Sequence, residues 1–173
     1  MTQEPENVIA FPTSDAQPEA EQQPTPVAPG SMGICYLAGP MTGYPQYNFA
    51  SFLAAGDILT QEGWDVRNPA KNDLECGFDP RSEVPPTKEQ LDEFRKWDIA
   101  QVELADKVFA LRGWMSSKGA VAEVALAQWR GIPVQQVAVG KNAETGQIQF
   151  GYGPEAPSIS EITSHVENAG ANL

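Results

Sequence analysis

Gly33-Ile34-Cys35-Tyr36-Leu37-Ala38-Gly39-Pro40-Met41-Thr42-Gly43 is the stretch on which the fold turns. Ile34 to Ala38 are apolar or aromatic without a break, and Gly39-Pro40 closes the run. A short continuous apolar run bounded by turn residues reads as a buried strand. A helix follows, with Asn48 as a plausible N-cap and Phe49, Phe52, Leu53 and Leu59 at helical spacing up to Gly63. Outward from there the alternation continues. Trp64-Asp65-Val66 is a brief second strand stopped by Asn68-Pro69, and Lys71 to Pro86 reads as a loop-rich stretch that covers a site. Thr87-Lys88-Glu89-Gln90 opens a second helix with a capping pattern, running to about Leu104. Lys107 to Leu111 is the third strand. Gly113 to Ser117 turns into a third helix from about Lys118 to Trp129, closed by Gly131. Ile132 to Val139 is a fourth strand; a turn at Ala143-Glu144-Thr145-Gly146 precedes Gln147 to Phe150, and Ser158 to Val166 forms a final short helix.

Strands alternating with helices predict an α/β protein with a parallel sheet of four to five strands and helices on both faces. Right-handed crossovers bring the carboxyl ends of strands one and three together, where such folds bind ligands. The loops Gly39 to Gly43 and Gly113 to Gly119 both fall there.

The chain has 173 residues, enough for one domain with a real core. Residues 1–32 carry five acids, no base and six prolines, and read as a disordered acidic tail. The domain is expected over 33–150, with 151–173 as a C-terminal extension. Eleven Lys plus Arg against 23 Asp plus Glu leave a net charge of −12, which argues against a nucleic-acid polymer as partner. No apolar run approaches a membrane span, and the N-terminus lacks a signal-peptide pattern, so a cytoplasmic protein is expected. Two cysteines, Cys35 and Cys76, and one histidine, His165, make neither a disulfide framework nor a multi-His site. The chemistry must run on carboxylates, hydroxyls and backbone amides, with no metal and no cofactor.

Three features carry candidate chemistry. The glycine-bearing loop after the first strand lets backbone N–H groups approach an anion; alone it reads first as a tight strand-to-helix turn, and it is neither a Walker A sequence nor GxGxxG. Ser116-Ser117-Lys118-Gly119-Ala120-Val121-Ala122-Glu123 opens the third helix. There Ser117 is a natural N-cap beside free N–H groups. Glu123 stands in a helix otherwise built of Ala, Val and Leu, where a carboxylate is exposed, paired or functional. Gly119, four residues earlier, clears space above it. The third feature is Asp98, eight residues before Asp106; by itself it reads as part of a charged helix surface.

Together these motifs resemble the nucleoside 2-deoxyribosyltransferase superfamily, closest to its phage-associated branch, over about Ile34 to Val139. The marks are Tyr36-Leu37-Ala38-Gly39-Pro40-Met41-Thr42-Gly43, Tyr47-Asn48-Phe49, Val66-Arg67-Asn68-Pro69, the Asp98 to Asp106 spacing, and Leu111-Arg112-Gly113-Trp114 followed by Ser117 to Glu123. The resemblance implies a flavodoxin-like fold in which Glu123 is a nucleophile toward the anomeric carbon of a 2-deoxyribosyl group. It implies Asp98 as the acid that assists departure of the base, and Tyr36 as the residue that orients the nucleophile. Asn48 and the loop Gly39, Met41, Thr42 and Gly43 would line the sugar end, with Ser117, Lys118 and Gly119 beside them. It also implies a homo-oligomer, at least a dimer. A phage-encoded member would act in the host cytoplasm.

Ser117 is the informative departure. Transferases of the superfamily place an aspartate at this position for the sugar 5′-hydroxyl, whereas the related 2′-deoxynucleoside 5′-monophosphate N-glycosidases have serine. A carboxylate ~4 Å from a phosphate charge is repelled by roughly 4 kcal/mol at an effective dielectric of 20. Serine donates to the phosphate instead, and Lys118 adds positive charge. The loop lacks those glycosidases' arginine, having Met41-Thr42. The first expectation is therefore hydrolysis of deoxynucleoside 5′-monophosphates. Transfer of deoxyribose to another base comes next, then a non-catalytic nucleotide-binding module or an NAD-type glycohydrolase. Trp114 and Trp129 suit either a subunit interface or the core, the core being preferred for Trp129.

Overall fold

The computed structural model describes residues 30–82, 84–158 and 160–161. The acidic tail before residue 30, His165 and most of the Ser158 to Val166 helix lie outside the described residues. Within them, β1 (Ile34–Ala38) leads through a 3-10 turn at Pro45–Asn48 into α1 (Phe49–Gln61). Then follow β2 (Asp65–Arg67), α2 (Pro69–Glu75), α3 (Lys88–Leu104) and β3 (Lys107–Leu111). A 3-10 turn at Trp114–Ser116 precedes α4 (Lys118–Trp129), and β4 (Val134–Lys141) and β5 (Ile148–Glu155) close the sheet.

The five strands run in the order β2-β1-β3-β4-β5. β1 pairs parallel with β2 and β3, and β3 with β4; β5 adds to β4 antiparallel. The chain moves outward from β1 to β2, then crosses back to β3 on the other side of β1. The sheet thus switches direction between β1 and β3, and the crevice above their carboxyl ends is where an open α/β sheet binds ligands. This is the expected α/β, Rossmann-like fold with helices on both faces.

Alternation along β1 divides the core. Cys35 and Leu37 face α1, where they pack with Phe52, Ala55 and Leu59; Tyr36 and Ala38 face the opposite layer with Val102 of α3 and Val124 of α4. α3 serves both layers, since Phe94 in its first half belongs to the α1 side and Val102 to the other. The middle of α3, with Asp98, therefore lies between the two layers and reaches Tyr36 in the middle of β1.

Several marked polar residues are fold staples. Asp106 Oδ2 accepts from the Ile34 backbone N–H at 2.8 Å and ties the start of β1 to the start of β3. Asn68 is 6% exposed; its Nδ2 donates to the Phe52 carbonyl at 2.8 Å and its Oδ1 accepts from Ala70 N–H at 3.1 Å. That bond joins α1 to the start of α2.

Some boundaries differ from expectation. Residues 69–75 are helical, not loop: Asn68-Pro69 is an N-cap followed by proline at the first helical position, a pairing that starts helices as readily as it stops strands. β2 begins one residue late. β4 starts at Val134 because Pro133 has no N–H for a ladder, and it runs to Lys141 because β5 pairs with it. β5 continues to Glu155, five residues past the expected domain boundary. Residues 30–32 form a turn in which Met32 N–H donates to the Gly63 carbonyl.

Candidate functional site

The site is built where β1, α3 and α4 converge. Tyr36 is fully buried in β1, with its hydroxyl within interaction range of both Asp98 on α3 and Glu123 on α4. It closes no hydrogen bond of standard geometry to either, and one oxygen of Asp98 is likewise buried without a partner. Buried polar atoms are ordinarily satisfied, so the Tyr36 hydroxyl and the Asp98 oxygen, unsatisfied beside Glu123, make this the candidate site.

The electrostatics of the cluster follow from burial. Loss of solvent pushes the Glu123 carboxyl up to about 8, with the Asp98 charge adding to the rise and the Tyr36 hydroxyl opposing it. Burial pushes Asp98 up to about 7; Asp73 reinforces this, and Tyr36 again opposes it. The phenol itself is held well above its ordinary value, first by burial and then by the two carboxylates, so it keeps its proton and acts as a donor. Like charges crowded in a poorly solvated site share protons, so near neutrality one carboxyl is ionised while its neighbour is not. Whichever carboxylate receives the Tyr36 hydrogen bond is favoured as the anion. The arrangement supplies a nucleophile and an acid side by side.

α4 is shaped to leave this site open. Ser117 Oγ accepts from the Ala120 N–H at 3.3 Å, as an N-cap does, which leaves its own proton free to donate outward. A methyl at Gly119 would stand 3.9 Å from Glu123 Oε1 and 3.8 Å from Ser117 Oγ, so the missing side chain is open space beside both. Lys118 is exposed and in no ion pair among the described residues.

The loop after β1 meets the loop after β3. The Tyr44 hydroxyl lies 2.7 Å from where a Gly113 side chain would begin, and Gly113 has φ +88°. Gln46, Tyr47 and Asn48 are three successive non-glycine residues at positive φ (48°, 53° and 59°). Each costs about 1–2 kcal/mol relative to ordinary backbone, and such strain collects at functional loops. The Tyr47 ring meets Phe78 edge-on at 5.1 Å, which anchors the turn.

Not every expected site residue faces the crevice. Gly39 is required by packing, because a methyl there would lie 2.9 Å from Phe52 Cζ and 3.0 Å from Leu111. Met41 is half-buried and packs against the α1-side core. Thr42 and Gly43 are exposed, with Gly43 at φ +86°. Asn48 precedes α1 but does not cap it; it is left-handed, and its Nδ2 donates to the Pro40 carbonyl at 3.0 Å, binding the loop to itself. Trp114 is 1% exposed and belongs to the core, whereas Trp129 is 78% exposed. The preference for Trp129 in the core is therefore reversed: it ends α4, beyond the last residue that packs on the sheet.

Asp73, buried on α2, carries no mark in the sequence reading. Arg112, part of the marked Leu111 to Trp114 motif, stands exposed just beyond the carboxyl end of β3 with no ion pair among the described residues. Among the described residues no group of three or more His, Cys, Asp or Glu is arranged to hold a metal ion. No helix among them is long and apolar enough to cross a membrane.

The family profile described as Domain of unknown function (DUF4406) matches residues 34–136. The chain belongs to that family. The matched region begins with β1, ends within β4, and contains Tyr36, Asp73, Asp98, Ser117 and Glu123. No curated protein matches the chain.

Proposed function

We propose that this protein cleaves the N-glycosidic bond of 2′-deoxynucleoside 5′-monophosphates through a covalent glycosyl-enzyme on Glu123. The observation that carries this reading is the meeting of Tyr36, Asp98 and Glu123 where β1, α3 and α4 converge, with the Tyr36 hydroxyl and an Asp98 oxygen buried and unsatisfied. The resemblance to the deoxyribosyltransferase superfamily supports the same three roles.

In this mechanism the Glu123 carboxylate attacks C1′ and the bond to the base breaks, its electron pair leaving on the base nitrogen. Asp98 hands that nitrogen its proton. In the free site Glu123 is the weaker acid of the two, so in this mechanism the proton passes to Asp98 as substrate binds, with the Tyr36 hydrogen bond favouring the Glu123 anion. Water then attacks C1′, giving its proton to the Asp98 carboxylate, and deoxyribose 5-phosphate leaves as the bond to Glu123 breaks and Glu123 returns to a carboxylate. Without a 2-hydroxyl the sugar reaches an oxocarbenium-like state more easily, so one positioned carboxylate suffices. The Ser117 hydroxyl, the N–H groups at the start of α4 and Lys118 suit a 5′-phosphate. A homo-oligomer belongs to the same proposal. The apolar surface of Trp129, with Leu104 at 60% and Ile99 at 52% exposure, supports a contact between copies.

The test is a product separation after incubation with each deoxynucleotide and deoxynucleoside, with and without a second free base. Free base plus deoxyribose 5-phosphate is expected. A new nucleoside or nucleotide instead means transfer, and binding without turnover means a nucleotide-binding module. Under the same conditions Ser117→Asp lowers kcat/KM for monophosphates by one to three decades, about the 4 kcal/mol repulsion at its upper end, and spares nucleosides. An unchanged preference for monophosphates removes the phosphate argument.

A further inference from the structure

The loops after β1 and β3 meet at Gly113, and each is pinned where they meet. The Tyr44 N–H donates to the Met41 carbonyl at 3.1 Å, and the Tyr44 carbonyl accepts from the Tyr47 N–H at 3.0 Å, so Tyr44 is held between two consecutive turns. On the other loop the Gly113 carbonyl accepts from the Ser116 N–H at 3.0 Å and from Ser116 Oγ at 2.7 Å. Buried Trp114 roots that turn in the core. The Tyr44 hydroxyl lies 2.7 Å from where a side chain at Gly113 would begin, and Pro40 Cγ lies 3.6 Å from the same point. Glycine is thus needed at 113 twice, for its φ of +88° and for the seat of this phenol. Tyr44 is exposed, and its hydroxyl has no partner among the described residues.

Arg112 precedes that glycine. Its N–H donates to the Val137 carbonyl at 2.9 Å, so the pairing of β3 with β4 runs on through it. Along β3, Val108 and Ala110 face the layer of Tyr36 and Val124, whereas Phe109 and Leu111 face α1. Strand alternation therefore sets Arg112 with Val108 and Ala110, on the Tyr36 side at the carboxyl end of the sheet. Its guanidinium is exposed and has no ion pair or hydrogen bond among the described residues. Two fixed turns thus bring an uncommitted arginine and an uncommitted phenol together at Gly113, on the loop that continues to Ser117 and Lys118.

We propose that Arg112 and Tyr44 form an anion clamp that holds the 5′-phosphate of the substrate between the two loops and determines the preference for monophosphates. The identity of the ligand rests on the glycosidase reading above; the anion site itself does not. The loop after β1 has Met41-Thr42 and no arginine, and the loop after β3 supplies one in its place. A guanidinium offers two parallel N–H donors to phosphate oxygens, and the phenol adds a third from the opposite loop.

The experiment compares full-length wild type, Arg112→Ala, Arg112→Lys and Tyr44→Phe. Calorimetry measures binding of a deoxynucleoside 5′-monophosphate and of its deoxynucleoside, and kcat/KM is measured for the same pair. Both residues are exposed, so the variants keep the fold, which matching melting curves verify. Arg112→Ala is expected to weaken monophosphate binding about ten- to hundredfold more than nucleoside binding, and Tyr44→Phe about tenfold more. Arg112→Lys recovers part of the loss, because the charge returns without the fork. In turnover the selective loss falls on KM more than on kcat. A merely structural Arg112 or Tyr44 would weaken both ligands alike. Equal effects on the two ligands, or none, overturn the clamp and leave the reaction standing. Selective loss of monophosphate binding in a protein that cleaves no nucleotide keeps the clamp and overturns the reaction. Failure of the wild type to bind either ligand overturns both.

Discussion

The polar residues of the marked motifs divide by whether their hydrogen bonds are complete. Asn68, Asp106 and Asn48 are committed to backbone groups of neighbouring segments, and each explains its place by the fold it holds. The Tyr36 hydroxyl and an Asp98 oxygen have no such commitment. Gly119 belongs with them, since its missing side chain leaves room beside Glu123 and Ser117. A methyl there meets only ordinary contacts at 3.8 and 3.9 Å, with φ in the helical range. Gly119→Ala is therefore expected to fold, with stability equal to or up to about 1 kcal/mol above the wild type from helix propensity. It should raise KM at least tenfold by filling the site. Thermal melting and steady-state kinetics together check this, and a wild-type KM would remove Gly119 from the site. Glu123 stands out in the sequence because a charge among Ala, Val and Leu is exposed, paired or functional. Asp98 was legible only through spacing, since its helix is charged throughout. Asp73 was invisible: Lys71-Asn72-Asp73-Leu74-Glu75 looks like solvent-facing polarity, and only the return of Phe78 onto α3 buries it.

Among the elements, β1, β3, α3 and α4 were legible almost to the residue. β1 and β3 are continuous apolar runs, and α3 and α4 begin with the cap residues Thr87 and Ser117, whose side chains accept from the third helical N–H in each case. α2 was missed because proline was read as a stop, although it also favours a first helical position. β4 lies two residues later than expected and β5 runs five residues longer, because a polar edge hairpin is held by backbone pairing and carries little hydrophobic pattern. The left-handed run Gln46–Asn48 left no trace in the sequence, since these residues adopt positive φ only when surrounding contacts over-determine it. The Asn48 bond to Pro40 and the Tyr47–Phe78 contact supply those constraints. Apart from α2, whose N-cap and proline are local signals, the differences fall on elements defined by tertiary contacts rather than by local propensity.

At the scale of the molecule, the net charge of −12 is spread unevenly: residues 33–139 carry only −4, which leaves room for a small phosphate site beside Ser117 and Lys118. The crowded carboxyls of the site set a second whole-molecule property, the dependence of stability on pH. Burial raises the Glu123 carboxyl from 4.5 to about 8. A carboxyl whose folded value is raised binds its proton more tightly in the native state, so its contribution is full below about pH 4.5 and is lost as pH climbs through about 8. Glu123→Gln carries no such penalty. Its melting temperature is expected to match the wild type near pH 4.5 and exceed it by several degrees, roughly 2–6 °C, at pH 8.5. Parallel curves across that range would show that the carboxyl is not strained by its surroundings. The most direct test of the central claim is the mass of the protein quenched during turnover of a deoxynucleoside 5′-monophosphate. A deoxyribosyl-phosphate adduct on the peptide containing Glu123, absent in Glu123→Ala together with turnover, is the result predicted here. An adduct on another residue, or full turnover by Glu123→Ala, would contradict it.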